Sequence, residues 1–220
     1  MLAIVIPYYK ITFFEFTLES LATQTDHRFT VYIGDDNSSE KPIELLKKYK
    51  NQFDFVYYHF NENLGSVSLT KQWERSINLS VDEKWVMILG DDDVLDNNVV
   101  EEFYKNLEEV EDEKINVIRF STFKIDEKNR IISEVYLHPK IEKATDFLFR
   151  DKRSSLSEYI FRKDKILEVG FKNFPLGWCS DLLAILEFSK FGEIFTINTA
   201  IFKIRISKLF LFTNTVVYKQ

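Results

Sequence analysis

The feature that most constrains the fold is a pattern in the first hundred residues. A short apolar run, a turn-forming cluster and a stretch with helical spacing recur in series. "LAIVIP" is an unbroken apolar run of strand length, of the kind buried on both faces of a parallel sheet. "TFFEFTLESLATQT" follows, with Phe13, Phe16, Leu18 and Leu21 at roughly helical spacing. "FTVYIGDD" reads as a second strand and "EKPIELLKKYK" as a second helix, with Pro42 tolerated in its first turn. "FDFVYYHF", the turn "NENLG" and the helix "SVSLTKQWERSINLS" continue the series, as do the strand "KWVMILG" and the helix "NNVVEEFYKNLEEV". A βαβαβαβ order implies a mostly parallel sheet with right-handed crossovers, because parallel neighbours are joined only by passing over a face.

In open α/β sheets ligands bind beyond the carboxyl ends of the strands. Two acidic groups fall at such ends, Asp35-Asp36 and Asp91 to Asp93 in "VMILGDDDVLDNN". Adjacent carboxylates repel one another, and burying any of them is costly unless a cation or hydrogen-bond donors compensate. From the residues alone the triple aspartate is either a solvated acidic turn or a cation site in a cleft shared with Asp35-Asp36.

Beyond about residue 114 the pattern changes. "INVIRFSTFKID" and "RIISEVYLH" read as antiparallel strands. "SSLSEYIFRKDKILEVG" reads as a strand or helix leading to a helix, and "SDLLAILEFSKFG" as a further helix. No repeat, low-complexity linker or charge block separates the halves, so residues 1–220 read as one domain. The C-terminal "IFTINTAIFKIRISKLFLFTNTVVYKQ" is broken by Lys203, Arg205 and Lys208, and reads as one or two strands, with contact to a membrane surface left open. No apolar run reaches the roughly 18 residues of a membrane-spanning helix, and "MLAIVIPYY" lacks the basic start of a signal peptide.

The formal net charge of −6 argues against nucleic-acid binding by charge alone. The one cysteine, Cys179, excludes an intrachain disulfide and a cysteine-cluster zinc site, and fits a reducing compartment. His59, in a strand beside Phe60, reads as structural, and His27 and His138 as loop residues.

"IVIPYYK", "LESLATQT", "VYIGDDNSS", "NENLG" and "LGDDDVL", in that order, resemble the family 2 glycosyltransferases of the GT-A fold. The resemblance covers residues 3 to 105 well and continues more loosely to about 200. It implies an α/β, Rossmann-like three-layer sandwich with a mostly parallel central sheet and a smaller C-terminal acceptor-side extension. Residues 1–113 would be the nucleotide-sugar-binding half and 114–220 the acceptor-binding half, truncated relative to longer members. The activity implied is inverting, hexosyltransferase-type transfer from a nucleotide-sugar donor, usually a UDP-sugar, to a hydroxyl of a glycan or lipid-linked glycan. The setting implied is cytoplasmic cell-surface polysaccharide biosynthesis, with peripheral association at the inner face of the membrane left open. A divalent cation, manganese or magnesium, would neutralise the diphosphate leaving group, and oxygen donors suit those ions better than zinc.

The same resemblance assigns site residues. Aligning "LGDDDVLDNN" with the family's "LDSDDxLxP" puts Gly90 at the first aspartate and Asp92 at the metal-binding one. Asp91 would then lie near the donor ribose or diphosphate, with Asp93 as a supporting carboxylate at the metal. The register stays open, because Asp91-Asp92-Asp93 is itself a D-x-D. Asp36 would accept a hydrogen bond from the base, favouring uracil, with Asp35 bracing the loop. Pro7 and Tyr9 would frame the base, unless they serve only packing. Asn63 and Gly65 would lie along the donor, the glycine permitting close approach or a positive φ. Lys71 stands near where relatives carry an arginine, as a diphosphate contact or a solvated helix lysine. Asp181, about 90 positions after Asp92, would be the general base, although Ser180 replaces the usual glutamate and either residue would also suit a helix cap. Trp178 would stack on an acceptor sugar or pack. No histidine follows His138 to add a metal ligand. Two other readings stand beside this one: a nucleotide-sugar-binding protein without turnover, and a magnesium-dependent nucleotidyl or phosphoryl transferase. The second lacks a P-loop.

Overall fold

Along β1 (Leu2–Tyr8) side chains alternate between two cores. Leu2, Ile4, Ile6 and Tyr8 enter one, Ala3 and Val5 the other. A strand buried on both faces needs no polar alternation, which is why "LAIVIP" is continuously apolar. The computed structural model describes residues 1–147 and 155–207.

The chain runs β1, α1 (Phe14–Ala22), β2 (Phe29–Asp35), α2 (Ile43–Tyr49), β3 (Asp54–His59), α3 (Leu69–Ile77) and β4 (Trp85–Ile88). It continues through β5 (Val94–Leu95), α4 (Val99–Asp112), β6 (Val117–Ile125), β7 (Ile141–Lys143) and α5 (Ala144–Phe147). A 3-10 turn (Leu156–Glu158), β8 (Tyr159–Arg162), α6 (Lys163–Val169), a second 3-10 turn (Pro175–Gly177), α7 (Ser180–Phe188) and β9 (Glu193–Arg205) follow. Helices α1, α2 and α4 cover one face and α3, α6 and α7 the other. The result is the three-layer α/β arrangement that the resemblance implied, built on the mostly parallel sheet expected from the strand–helix alternation.

The sheet order is β3-β2-β1-β4-β8-β6-β9-β5, with β7 on β9. Strands β1 to β4, β6 and β9 share one direction, while β8, β5 and β7 run against them. Strand β8 lies between β4 and β6, so residues from the second half of the chain complete the sheet begun by the first. After β3 the order reverses to the other side of β1, leaving a crevice beyond the ends of β1 and β4.

The structure differs from the sequence reading in one element. "RIISEVYLH" forms no regular strand; it lies against β6 through isolated antiparallel bridges at Thr122–Tyr136 and Ile125–Ile131, with the Ile132 amide donating to the Lys124 carbonyl at 2.9 Å and the Lys124 amide to Ser133 Oγ at 2.8 Å. Ile131, Ile132, Val135 and Leu137 are exposed there, so nothing on the outer side repays a regular ladder. The C-terminal stretch forms the 13-residue β9 with a register shift beside Phe120 and Ser121, and residues 208–220 lie outside the described part. No helix among the described residues is long and apolar enough to cross a membrane.

Candidate active site

Strands β1 and β2 end side by side, with Tyr8 opposite Asp35 and the Asp36 amide donating to the Tyr8 carbonyl at 3.0 Å. The two aspartates that follow have different partners. Asp35 is fully buried and accepts from the Tyr57 hydroxyl at 2.5 Å and the Ser38 amide at 2.8 Å, with His59 Nδ1 at 2.9 Å. It braces the turn, and His59 has a structural partner.

Asp36 organises the loop after β3. It accepts from the Leu64 amide at 2.7 Å, the Gly65 amide at 2.9 Å and the Arg75 guanidinium. A Cβ on Gly65 would lie 2.5 Å from Asp36 Oδ2, so close approach, not positive φ, requires glycine here. Arg75, on α3, also donates to the Glu62 carbonyl at 2.8 Å, and its guanidinium lies 3.9 Å from the Phe60 ring centroid. Asn63 Oδ1 accepts from the Ser66 amide at 2.9 Å, closing the same loop. Lys71 is exposed in the first turn of α3, where its amide is capped by Ser68 Oγ at 3.3 Å. Pro7 is half-buried, and Tyr9 is 44% exposed at the rim.

Across the crevice, the three aspartates after β4 take three different settings. Asp91 Oδ2 accepts from the amides of Tyr9 and Lys10, both at 2.8 Å, and so fastens the exit of β1 to the acidic turn. Asp93 points inward: Ser157 Oγ donates to Oδ2 at 2.6 Å and the Arg205 amide to Oδ1 at 2.9 Å. Asp92 is partly exposed, and among the described residues no other side chain donates to its carboxylate. A Cβ on Gly90 would meet Asp93 Oδ2 at 3.0 Å and Asp92 Oδ1 at 3.1 Å, which accounts for glycine where the alignment places an aspartate.

Burial and mutual repulsion dominate the electrostatics of this turn. Desolvation raises the pKa of Asp91, against the pull of the Lys10 and Tyr9 amides. Desolvation, then the charges of Asp93 and Asp91, push Asp92 up to about 8, opposed by Arg205. Burial likewise raises Asp93, countered by Ser157 and Arg205. Glu158, buried beside this region, is pushed up to about 8, chiefly by desolvation.

Such a turn suits a hard cation: its donors are all carboxylate oxygens, and Asp92 retains acceptor capacity. Among the described residues no group of three His, Cys, Asp or Glu side chains forms a complete metal cage. A cation here would draw the rest of its shell from ligand oxygens and water.

The acceptor-side candidate lies on α7. Cys179 precedes the helix in the left-handed region (φ 62°), and Asp181 sits partly buried in the first turn. Neither Ser180 nor Asp181 occupies the cap position; Ser180 Oγ instead accepts from the Phe174 amide at 3.4 Å. The preceding segment packs on the start of α3, where Ser68 Oγ donates to Asn173 Oδ1 at 2.8 Å. Trp178 is 44% exposed.

Two residues of this region escaped the sequence reading. Arg75 lies one helical turn beyond Lys71, and the polar set Gln72, Arg75 and Ser76, at spacings of three and four, was the available signal for an inward polar face. Arg205 looked like an interruption of an apolar strand. It is 4% exposed, with Nε donating to the Asp92 carbonyl at 2.9 Å and Nη1 to the Asp126 carbonyl at 2.8 Å.

The fold matches solved structures over most of its length. TarS 1-349 of S. aureus in complex with UDP-GlcNAc aligns with a TM-score of 0.73 at 14% identity, covering 94% of this chain and 58% of that one. The complex of the same protein with UDP gives 0.72 at 14% identity, over 94% and 60%. GalNAc-T7 with UDP, GalNAc and Mn2+ gives 0.69 at 9% identity, over 94% and 44%. This chain thus spans less than two thirds of the length of each of these structures. At these identities the likeness establishes the fold, which is GT-A. Among curated protein sequences none matches significantly. The family model described as "Glycosyl transferase family 2" matches residues 3–170. The strand-end acidic groups and the fold thus converge with that match: the chain belongs to glycosyl transferase family 2.

Proposed function

We propose that this glycosyltransferase moves a hexosyl group from a UDP-sugar to an acceptor hydroxyl with inversion, assisted by manganese or magnesium. The observation that carries the reading is the opposition of two settings at the carboxyl ends of β2 and β4. On one side stands Asp36, held by Arg75 and two amides; on the other stands the acidic turn with Asp92 partly exposed. The solved structures of like fold that contain UDP or UDP-GlcNAc support a uridine nucleotide as the donor's carrier.

In this reading Asp36 and Arg75 receive the base, with Pro7, Tyr9, Asn63 and Gly65 lining its approach. Lys71 is a peripheral positive charge near the diphosphate. Asp91 holds the exit of β1 against the turn and borders the ribose. Asp92 would hold the cation, with Asp93 bracing it from behind. The bound cation supplies positive charge to the leaving diphosphate. Asp181 accepts the proton from the acceptor hydroxyl as its oxygen bonds to the anomeric carbon and the bond to the diphosphate oxygen breaks. Residues 1–113 carry the donor side and the following part the acceptor side. A glycan or lipid-linked glycan in cytoplasmic assembly of surface polysaccharide is the acceptor class we assign.

Turnover of a panel of UDP-sugars, read as UDP release with Mn2+ and with EDTA, tests the reading. Release that requires the ion and disappears in Asp92→Ala supports it. Full activity in Asp92→Ala contradicts the metal assignment.

A further inference from the structure

We propose that Arg205 is the resident counter-charge of the acidic turn, a positioning residue that holds Asp91 to Asp93 assembled in the cation-free protein. The proposal rests on the reading of that turn as the cation end of a nucleotide-sugar cleft.

Three adjacent carboxylates at one strand end carry a repulsion that a folded, ion-free chain must offset. Among the described residues, positive charges that act on the turn include Lys10 at Asp91 and Arg205 at Asp92 and Asp93. Lys10 is exposed, so solvent and salt screen it; Arg205 is buried, so its field is screened far less. Among the described residues no lysine or arginine forms a direct ion pair with any of the three aspartates.

The geometry of Arg205 matches this task. Its amide donates to the Asp93 carboxylate at 2.9 Å, Nε to the Asp92 carbonyl at 2.9 Å and Nη1 to the Asp126 carbonyl at 2.8 Å. Its guanidinium carbon lies 4.5 Å from the Phe13 ring centroid and 5.4 Å from that of Phe16. One side chain therefore ties the end of β9 and the start of α1 to the turn after β4. The arrangement is expensive: Nη2 is buried without a hydrogen-bond acceptor among the described residues. A buried, incompletely bonded guanidinium is poor cement, and an apolar residue between two phenylalanines would pack as well. Its positive charge is what an apolar side chain lacks.

A double-variant cycle in EDTA at pH 9, where Asp92 is ionised, decides the matter by thermal melting. Arg205→Gln should lower Tm by about 6–10 °C, and Arg205→Lys, which keeps the charge without the fork, by less. In an Asp92→Asn background, with one repelling charge gone, the Arg205→Gln loss should shrink to less than half. Equal losses in both backgrounds would overturn the proposal. Should Arg205→Gln alone fail to fold, the double variant must fold; failure of both overturns it. Mn2+ adds a separate readout. It should restore part of the Arg205→Gln loss when Asp92 is present and none when it is Asn. If Mn2+ shifts no variant, the cation reading fails while the EDTA cycle still decides the role of Arg205.

Discussion

Gly65 and Asp36 meet without room for a side chain: the Gly65 amide donates to Asp36 Oδ2 at 2.9 Å, and a Cβ would lie 2.5 Å from that oxygen. Gly65→Ala must therefore displace a buried carboxylate that also holds Arg75. The expected cost is about 1–3 kcal/mol of stability. UDP affinity should fall at least about tenfold, or 1.4 kcal/mol. Urea unfolding and calorimetric titration with UDP read the two effects. Unchanged UDP binding would separate Asp36 from the nucleotide site.

Arg75→Lys preserves charge but not shape. The guanidinium bonds Asp36, Gln72 and the Glu62 carbonyl while stacking on Phe60, which a single ammonium cannot reproduce. Removing a largely buried ion-pair geometry of this kind should cost about 2–3 kcal/mol. Denaturant midpoints check the stability loss. UDP titration checks that affinity falls with it.

The strands carrying the site were legible because each is a contiguous apolar run ending in turn-formers; the register of β1 with β2 was not, because a strand apolar on both faces carries no alternation to fix it. The aspartates at the strand ends were legible for the same reason as the strands. What else escaped depends on contacts distant in sequence. Asp35 and Asp36 are neighbours with opposite fates, set by Tyr57 and His59 on one side and Leu64, Gly65 and Arg75 on the other. Asp93 turns inward because Ser157 and Arg205, from the second half of the chain, supply its donors. No local pattern announces partners 64 and 112 positions away. "RIISEVYLH" has strand composition, yet β-branched residues do not make a ladder where nothing packs on the outer side.

The acidic turn makes stability depend on pH. Asp91, Asp92, Asp93 and Glu158 are all raised above ordinary carboxylate values, Asp92 and Glu158 to about 8 and chiefly by desolvation. Between the ordinary carboxylate range and about pH 8 the folded protein therefore binds more protons than the unfolded chain. Stability in EDTA should fall as pH rises through that window and level off above it. Because cation binding to Asp92 must displace a proton, Mn2+ affinity should rise with pH over the same range. Melting temperatures and Mn2+ titrations across pH 5 to 9 check both trends, and a rise of ion-free stability with pH contradicts them.

If Asp181 on α7 is the general base, Asp181→Asn should retain UDP binding and lose sugar transfer, because the amide cannot accept the acceptor's proton. Transfer at the wild-type rate would reduce Asp181 to a helix-start residue. Cys179→Gly offers a structural control. The left-handed backbone at φ 62° favours glycine, so this variant should be neutral or stabilising by up to about 1 kcal/mol in urea.

The central claim is that the acidic turn joins a cation to the diphosphate of a nucleotide whose base sits at Asp36. Titration of the protein with UDP by calorimetry, with Mn2+ and with EDTA, tests it most directly. The account predicts binding at least about tenfold tighter with the ion, a difference of 1.4 kcal/mol. That gain should vanish in Asp92→Asn and persist in Asp181→Asn. Equal UDP affinity with and without Mn2+, or a gain that survives in Asp92→Asn, would contradict it.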